Sequence, residues 1–285
     1  MTEKVFLNNK LVDIDKACVS VNDSGLLYGA GLFETMRCCN GTVFRLDDHL
    51  DRLFTSAEKL TVNNSYEKEF ITDAIYKLLS ANELKDARLR LTLTSGYMGS
   101  EEPKSTLLIA ATKFIPYPDE YYKNGVLAVL CEFRQNPTDP LSGHKSLNYF
   151  SRMLALKQAH EKNAAEALWF TTGNILAEGC VSNIFLVKDS ALYTPTLNTP
   201  VLAGIARKNV CQLAVENSIK LVEKDLSIDD VLSADEIFMT NVIMQVLPIN
   251  RVEKHVVGSG KVGEITEKIM EYFSDSIQKQ CRDKK

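Results

Sequence analysis

The stretch Ser142-Gly143-His144-Lys145-Ser146-Leu147-Asn148-Tyr149 decides how this chain is read. Upstream lies the turn-prone run Asn136-Pro137-Thr138-Asp139-Pro140, and a helical pattern follows over 147–161. Lys145 therefore stands at a junction between ordered segments, whereas most lysines ride on solvated helix flanks and only add solubility. A lone lysine says little. Its downstream companions say more: Glu178, 33 residues on, in Ala177-Glu178-Gly179-Cys180-Val181-Ser182-Asn183, and Gly204-Ile205-Ala206-Arg207, which opens a further helix. An amine, a carboxylate and a helix N-terminus are the parts required by an aldehyde cofactor that carries a ring nitrogen and a phosphate. Pyridoxal 5'-phosphate fits that description. Arg52 is a candidate fixed cation for the phosphate, and Thr240 or Asn241 could add side-chain hydrogen bonds.

Composition narrows the setting. A chain of 285 residues has room for one large or two medium domains with real cores. Its 45% apolar and 25% charged content is ordinary for a globular protein. A formal net charge of −4 supplies no basic field, so no nucleic-acid partner is expected. Seven cysteines, at 18, 38, 39, 131, 180, 211 and 281, form no C-x-x-C pair and read as reduced thiols of a cytoplasmic protein. The opening Met1-Thr2-Glu3-Lys4-Val5-Phe6-Leu7 lacks a signal peptide's apolar region. No apolar run is long enough to span a bilayer, so no membrane partner is expected. The histidines at 49, 144, 160 and 255 lack metal-ligand spacing, and no metal is expected. Gly258-Ser259-Gly260-Lys261-Val262-Gly263 matches G-x-G-x-x-G, but only 22 residues follow, too few for a βαβ unit. Val262 also stands where a phosphate loop needs Ser or Thr, so the segment reads as a surface turn.

Taken in order, residues 4–14 read as a strand that reverses at Asn8-Asn9. Three glycines between 25 and 31 suggest a loop with positive-φ turns, feeding a strand over 32–38. After a turn at Gly41-Thr42, Asp47 is a natural N-cap for a helix carrying Leu46, Leu50, Leu53, Phe54 and Ala57. On that helix Arg52 shares a face with His49, and its plain structural use is an ion pair with Asp48. Residues 65–81 form a second amphipathic helix. Residues 87–96 alternate strictly, with Arg88, Arg90, Thr92 and Thr94 opposite Leu89, Leu91 and Leu93. Prolines 116 and 118 stiffen the following segment and block helix, which places the domain boundary there: 1–117 and 118–285. Strands are expected over 126–133, 167–171, 175–178, 183–187, 192–194 and 235–246, the last closed by Pro248. Helices are expected over 204–217 and 263–278.

Six blocks in this order carry a resemblance: Tyr28-Gly-x-Gly-x-Phe-Glu34, His49-x-x-Arg52-Leu53, Lys145-Ser-Leu-Asn148, Glu178-x-x-x-x-Asn183-x-Phe185, Leu202-x-Gly-Ile-x-Arg207 and Met239-Thr-Asn241. Over essentially its whole length the chain resembles the class IV aminotransferase family, the fold-type IV pyridoxal-phosphate enzymes. The resemblance implies an α+β (mixed α/β) fold of two domains: a smaller N-terminal α/β domain and a larger, barrel-like C-terminal domain with helices. It implies Lys145 as the imine lysine, Glu178 as the ring-nitrogen partner and Arg52 as a phosphate ligand. With Asn183, Gly204, Ile205, Ala206, Thr240 and Asn241 these form the expected cofactor set, and Tyr28, Arg90 and Tyr149 the expected substrate set. A small-molecule amine substrate and a homodimer are implied as well, with the active site between the domains and near the subunit interface.

Within the family, Lys145-Ser-Leu-Asn148 is similar to the aminodeoxychorismate lyases and the D-amino-acid aminotransferases. Ser95-Gly96 lacks the Arg-Gly pair of the D-amino-acid enzymes, and Thr35 matches the threonine that the lyases use to handle a proton. Arg90 and Tyr28 are similar instead to pocket residues of branched-chain aminotransferases. Ala30 and Ala206 depart from the usual Asp and Thr or Ser, the second removing one phosphate hydroxyl contact. The expectation is a lyase that converts 4-amino-4-deoxychorismate to 4-aminobenzoate and pyruvate, with Lys145 and Thr35 as its catalytic residues. The alternative is an aminotransferase of branched-chain or D-amino-acid type that delivers the amino group to a 2-oxo acid.

Overall fold

Leucine alternation organises the N-terminal sheet. The computed structural model describes residues 3–97, 99 and 104–282. Strands β1 (Lys4–Leu7) and β2 (Lys10–Asp13) form a hairpin, with Asn8 at φ 59° in its turn. A short helix, α1 (Ser24–Tyr28), occupies part of the segment expected to be loop, because the Asp23 carboxylate accepts the Gly25 amide and caps it. Then follow β3 (Gly31–Cys39), β4 (Thr42–Val43), α2 (Leu46–Lys59), α3 (Lys68–Ala81), β5 (Ala87–Thr94) and β6 (Thr106–Lys113). The sheet order is β2-β1-β6-β5-β3-β4. Leu89, Leu91 and Leu93 are fully buried in a core shared with Leu50, Leu53, Ile71, Ile75 and Leu78. Arg45, in left-handed conformation, caps α2, so Asp47 falls inside the first turn; there its charge still complements the helix's positive end.

The chain divides into two compact units. The first comprises Met1–Ile115, His144–Asn148 and Ile277–Lys285, and the second Pro116–Gly143 and Tyr149–Ser276. The Lys145 segment joins the first unit through the edge of β3 that β4 leaves open: β4 pairs only with Cys38 and Cys39. The Phe33 amide donates to the Lys145 carbonyl (2.9 Å), the Leu147 amide to the Gly31 carbonyl (2.9 Å), and Leu32 bridges Ser146.

In the second unit, α4 (Asp119–Asn124) begins directly after Pro118. Prolines before a first turn cost no hydrogen bond, so the expected block to helix does not operate there. The unit continues through β7 (Val126–Gln135), α5 (Phe150–Glu161), β8 (Glu166–Thr171), β9 (Leu176–Gly179), β10 (Asn183–Lys188) and β11 (Ala191–Thr194). Next come α6 (Ile205–Glu216), β12 (Leu221–Glu223), α7 (Ile228–Leu232), β13 (Glu236–Asn241), β14 (Gln245–Val252), β15 (His255–Val256) and α8 (Glu264–Gln280). The sheet order is β12-β11-β10-β13-β14-β7-β8-β9, with β15 on β14. The Gly179 amide donates to the Ser182 carbonyl (2.7 Å), which turns β9 back beside β10 and curls the sheet into a half-barrel. Pro248 does not close a strand but sits within β14, opposite Phe238 and just before Ile249, the first residue of β14 paired with β7. Its missing N–H is therefore not needed on that side. The glycine-rich segment 258–263 is a turn, with Gly258 at φ 50° and Gly260 at φ 75°. Among the described residues no helix is long and apolar enough to cross a membrane, and all seven cysteines are free.

Candidate active site

In the first unit, Lys145 is placed by its backbone. The hydrogen bonds to β3 set its ammonium 4.4 Å from the centre of the Phe33 ring, and the Arg90 guanidinium lies 3.4 Å from the same centre. Thr35, two residues along β3 and so on the face of Phe33, stands directly across from Arg90. An amine, a guanidinium and a hydroxyl thus share one sheet face. Tyr28, also expected near substrate, ends α1 and is exposed. The next residue, Gly29, adopts φ 66°, and a Cβ there would lie 2.8 Å from Asn148 Oδ1. Asn148 Nδ2 donates to the Gly29 carbonyl (3.0 Å), so the glycine motif and the lysine motif hold one another. Of Gly25, Gly29 and Gly31, only Gly29 uses a positive φ.

The opposite face of β3 carries Glu34, almost fully buried. Arg52 grips it with two hydrogen bonds, Nε to Oε1 (2.8 Å) and a terminal nitrogen to Oε2 (2.6 Å). This replaces the expected Arg52–Asp48 pair; Asp48 is taken by Arg45. His49 Nδ1 lies 2.7 Å from Glu34 Oε2. Burial pushes the Glu34 carboxyl upward, but Arg52 and His49 outweigh it and hold the group at about 2. Burial pushes the His49 imidazole pKa down, which favours its neutral form. Because the ionised Glu34 can only accept, His49 carries its proton on Nδ1, and its buried Nε2 has no partner among the described residues.

In the second unit, Glu178 on β9 is buried, with Arg152 at 2.5 Å from Oε1 and the Leu202 amide donating to Oε2 at 2.9 Å. Tyr149 donates its hydroxyl to the Cys180 carbonyl (2.7 Å), and burial raises its pKa. Gly204 caps α6, where a Cβ would lie 1.9 Å from Asn183 Oδ1. Asn183 Nδ2 donates to the Leu202 carbonyl (2.9 Å), and Asn183 stands opposite Thr240 in the sheet. The first bond of α6 runs from the Lys208 amide to the Gly204 carbonyl (2.9 Å), so the amides of Ile205, Ala206 and Arg207 precede it. Thr240 Oγ1 is buried and has no hydrogen-bond partner among the described residues. Asn241 is committed to the β13–β14 turn: its Oδ1 accepts from Ile243 (2.9 Å) and Met244 (2.8 Å), and Nδ2 donates to Val181 (3.1 Å).

The sequence profile of the family described as Amino-transferase class IV matches residues 31–252. The chain belongs to this family. A provisionally named branched-chain-amino-acid aminotransferase of Methanocaldococcus jannaschii is 38% identical over 275 residues, covering 95% of this chain and 96% of that protein. A D-alanine aminotransferase of Listeria monocytogenes is 31% identical over 286 residues, covering 98% and 97%. The solved branched-chain amino acid aminotransferase of Escherichia coli superposes with a TM-score of 0.92 at 28% identity, covering 100% of this chain and 97% of that one. The 4-amino-4-deoxychorismate lyase of Pseudomonas aeruginosa does so with a TM-score of 0.84 at 27% identity, covering 96% and 98%.

Class IV aminotransferases are pyridoxal-phosphate enzymes, and the residues of this class IV chain fit that cofactor. The unpartnered Thr240 hydroxyl and the α6 amides behind Gly204 are what a phosphate would satisfy. Three participants were missed as individual residues from sequence: Phe33, Glu34 and Arg152. Glu34 had a signal, a carboxylate on the face of β3 otherwise occupied by Leu32, Met36 and Cys38. Arg152 had a weaker one, a cation in the first turn of a helix.

Proposed function

We propose that this class IV enzyme is an aminotransferase that moves the amino group of an amino acid to a 2-oxo acid. The observation that carries this reading is the sharing of the Phe33 ring by Lys145 and Arg90. An amino acid bears its carboxylate on the carbon that reacts, so its recognition calls for a guanidinium close to the reacting amine. The named relatives, branched-chain and D-alanine aminotransferases, support the same choice.

Bound pyridoxal 5'-phosphate supplies an electron sink for the carbon that carries the amino group. Lys145 would hold the cofactor through its amine, and the same amine, when free, would serve as the base that moves the proton from the carbon bearing the amino group. Glu178 holds the proton on the ring nitrogen. Arg52, Thr240 and the Ile205 and Ala206 amides hold the phosphate, with Gly204 keeping the approach open and Asn183 fixing the loop before α6. Glu34 and His49 hold the Arg52 fork in place. Arg90 receives the substrate carboxylate, with Tyr28 and Tyr149 as further pocket residues. A homodimer in the cytoplasm belongs to the same reading, supported by the family and by the free thiols.

Thr35 favours a second reading. Its hydroxyl lies across from Arg90 on the face of Phe33, where it could relay a proton to a departing enolpyruvyl group, as the lyase expectation requires. Paired assays separate the two. The aminotransferase reading expects amino acid formed from a 2-oxo acid and an amino donor, screened over branched-chain amino acids and D-alanine. Pyruvate released from aminodeoxychorismate with no oxo acid added, and no amino transfer, would replace it with the lyase.

A further inference from the structure

The guanidinium on Glu178 has no counterpart in the roles above. Arg152 is the third residue of α5, whose first turn carries no acidic residue. A cation there opposes the helix dipole. Its side chain is nonetheless only 17% exposed. One terminal nitrogen donates to the Gly179 carbonyl (3.0 Å) and the other to Glu178 Oε1 (2.5 Å). The guanidinium carbon lies 5.7 Å from the centre of the Tyr149 ring and 5.5 Å from that of Trp169, which flank the fork. The Leu202 amide takes the second oxygen of Glu178. The carboxylate is thus held at both oxygens by groups that cannot accept a proton.

We propose that Arg152 is a positioning residue: it fixes the Glu178 carboxylate in one orientation and shares its negative charge with the cofactor ring. The proposal rests on Glu178 as the ring-nitrogen partner. A carboxylate whose charge is divided between a guanidinium and the ring holds the ring proton less tightly than an undivided one. Arg152 touches neither substrate nor reacting carbon in this role; it acts through Glu178.

The test is a pH titration of the visible absorbance of the cofactor-loaded protein with no substrate present. Arg152→Gln leaves Glu178 its whole charge, so the band should titrate roughly half a pH unit or more above wild type. Arg152→Lys keeps the cation and should retain the wild-type midpoint. Glu178→Gln/Arg152→Gln buries neither charge and guards against a single variant that does not fold; its midpoint should equal that of Glu178→Gln. An Arg152→Gln midpoint equal to wild type, even with a lowered melting temperature, overturns the proposal and leaves a structural arginine. So does a double variant displaced from Glu178→Gln as far as Arg152→Gln is from wild type. A wild-type protein that takes up no cofactor overturns instead the reading of Glu178 beneath it.

Discussion

Replacing Glu34 by Gln removes one charge from a buried triad and changes its volume hardly at all. Glu34 is 1% exposed, and the Arg52 side chain that grips it is 11% exposed. The substitution therefore strands a guanidinium away from water with an amide where its carboxylate stood. Breaking a buried ion pair from one side typically costs about 3–5 kcal/mol. The carboxyl itself gives a concordant figure: holding it at about 2 when its ordinary value is 4.5 is worth about 3 kcal/mol at neutral pH. We therefore expect cofactor-free Glu34→Gln to lose about 3 kcal/mol of unfolding free energy at pH 7, measured by urea titration. The sign with pH follows from the depressed value. The contribution is complete above the ordinary 4.5 and is lost as pH falls toward about 2, so wild type and variant should converge across that window. Free phosphate should recover part of the loss, because it offers Arg52 a new anion. A difference below about 1 kcal/mol at pH 7, or one that does not shrink between pH 4.5 and pH 2, refutes the buried-triad account.

If Glu178 faces the ring nitrogen as proposed, Glu178→Gln removes that charge while keeping the shape, so turnover should fall by ~10²-fold or more with a smaller loss of cofactor affinity; steady-state rates and reconstitution titrations measure the two. Thr240→Val deletes a buried hydroxyl that has no partner among the described residues. The cofactor-free protein should gain ~1 kcal/mol of stability while phosphate and cofactor bind ~10-fold more weakly, read by melting curves and by calorimetry. Thr35→Val should leave amino transfer within about threefold of wild type if, as proposed, Lys145 moves the proton in that reaction; a loss of ~10²-fold in pyruvate release would instead reveal the lyase.

Much of the fold was legible because local periodicity and burial agree. The leucines of β5 predict both a strand and its buried face, and the reversal at Asn8-Asn9 lies where Asn8 adopts positive φ. Misreadings arose where a distant partner decides. Arg45 caps α2 in a conformation that its own sequence does not announce, whereas Asp47, a good cap by type, stands two residues inside the helix. Pro248 reads as a strand end, yet sheet order leaves it a position that needs no N–H from it. Lys145 was legible as a held lysine, but not the means of holding it: an open stretch of β3, more than 100 residues upstream, pairs with its backbone. Arg52 was legible as a residue of the helix that would need a carboxylate partner, but that partner lies on a strand rather than on its own helix.

The most direct test of the central claim follows the purified, cofactor-loaded protein through half of the reaction. Borohydride should first abolish the visible band of one sample and leave the reduced cofactor on Lys145 by peptide mass spectrometry. A second sample, mixed with an amino-acid donor and no acceptor, should lose the band as one equivalent of 2-oxo acid appears, and a different 2-oxo acid should restore it. Label on any other lysine, or a protein that releases pyruvate from aminodeoxychorismate and yields no oxo acid from any amino acid, would contradict the account.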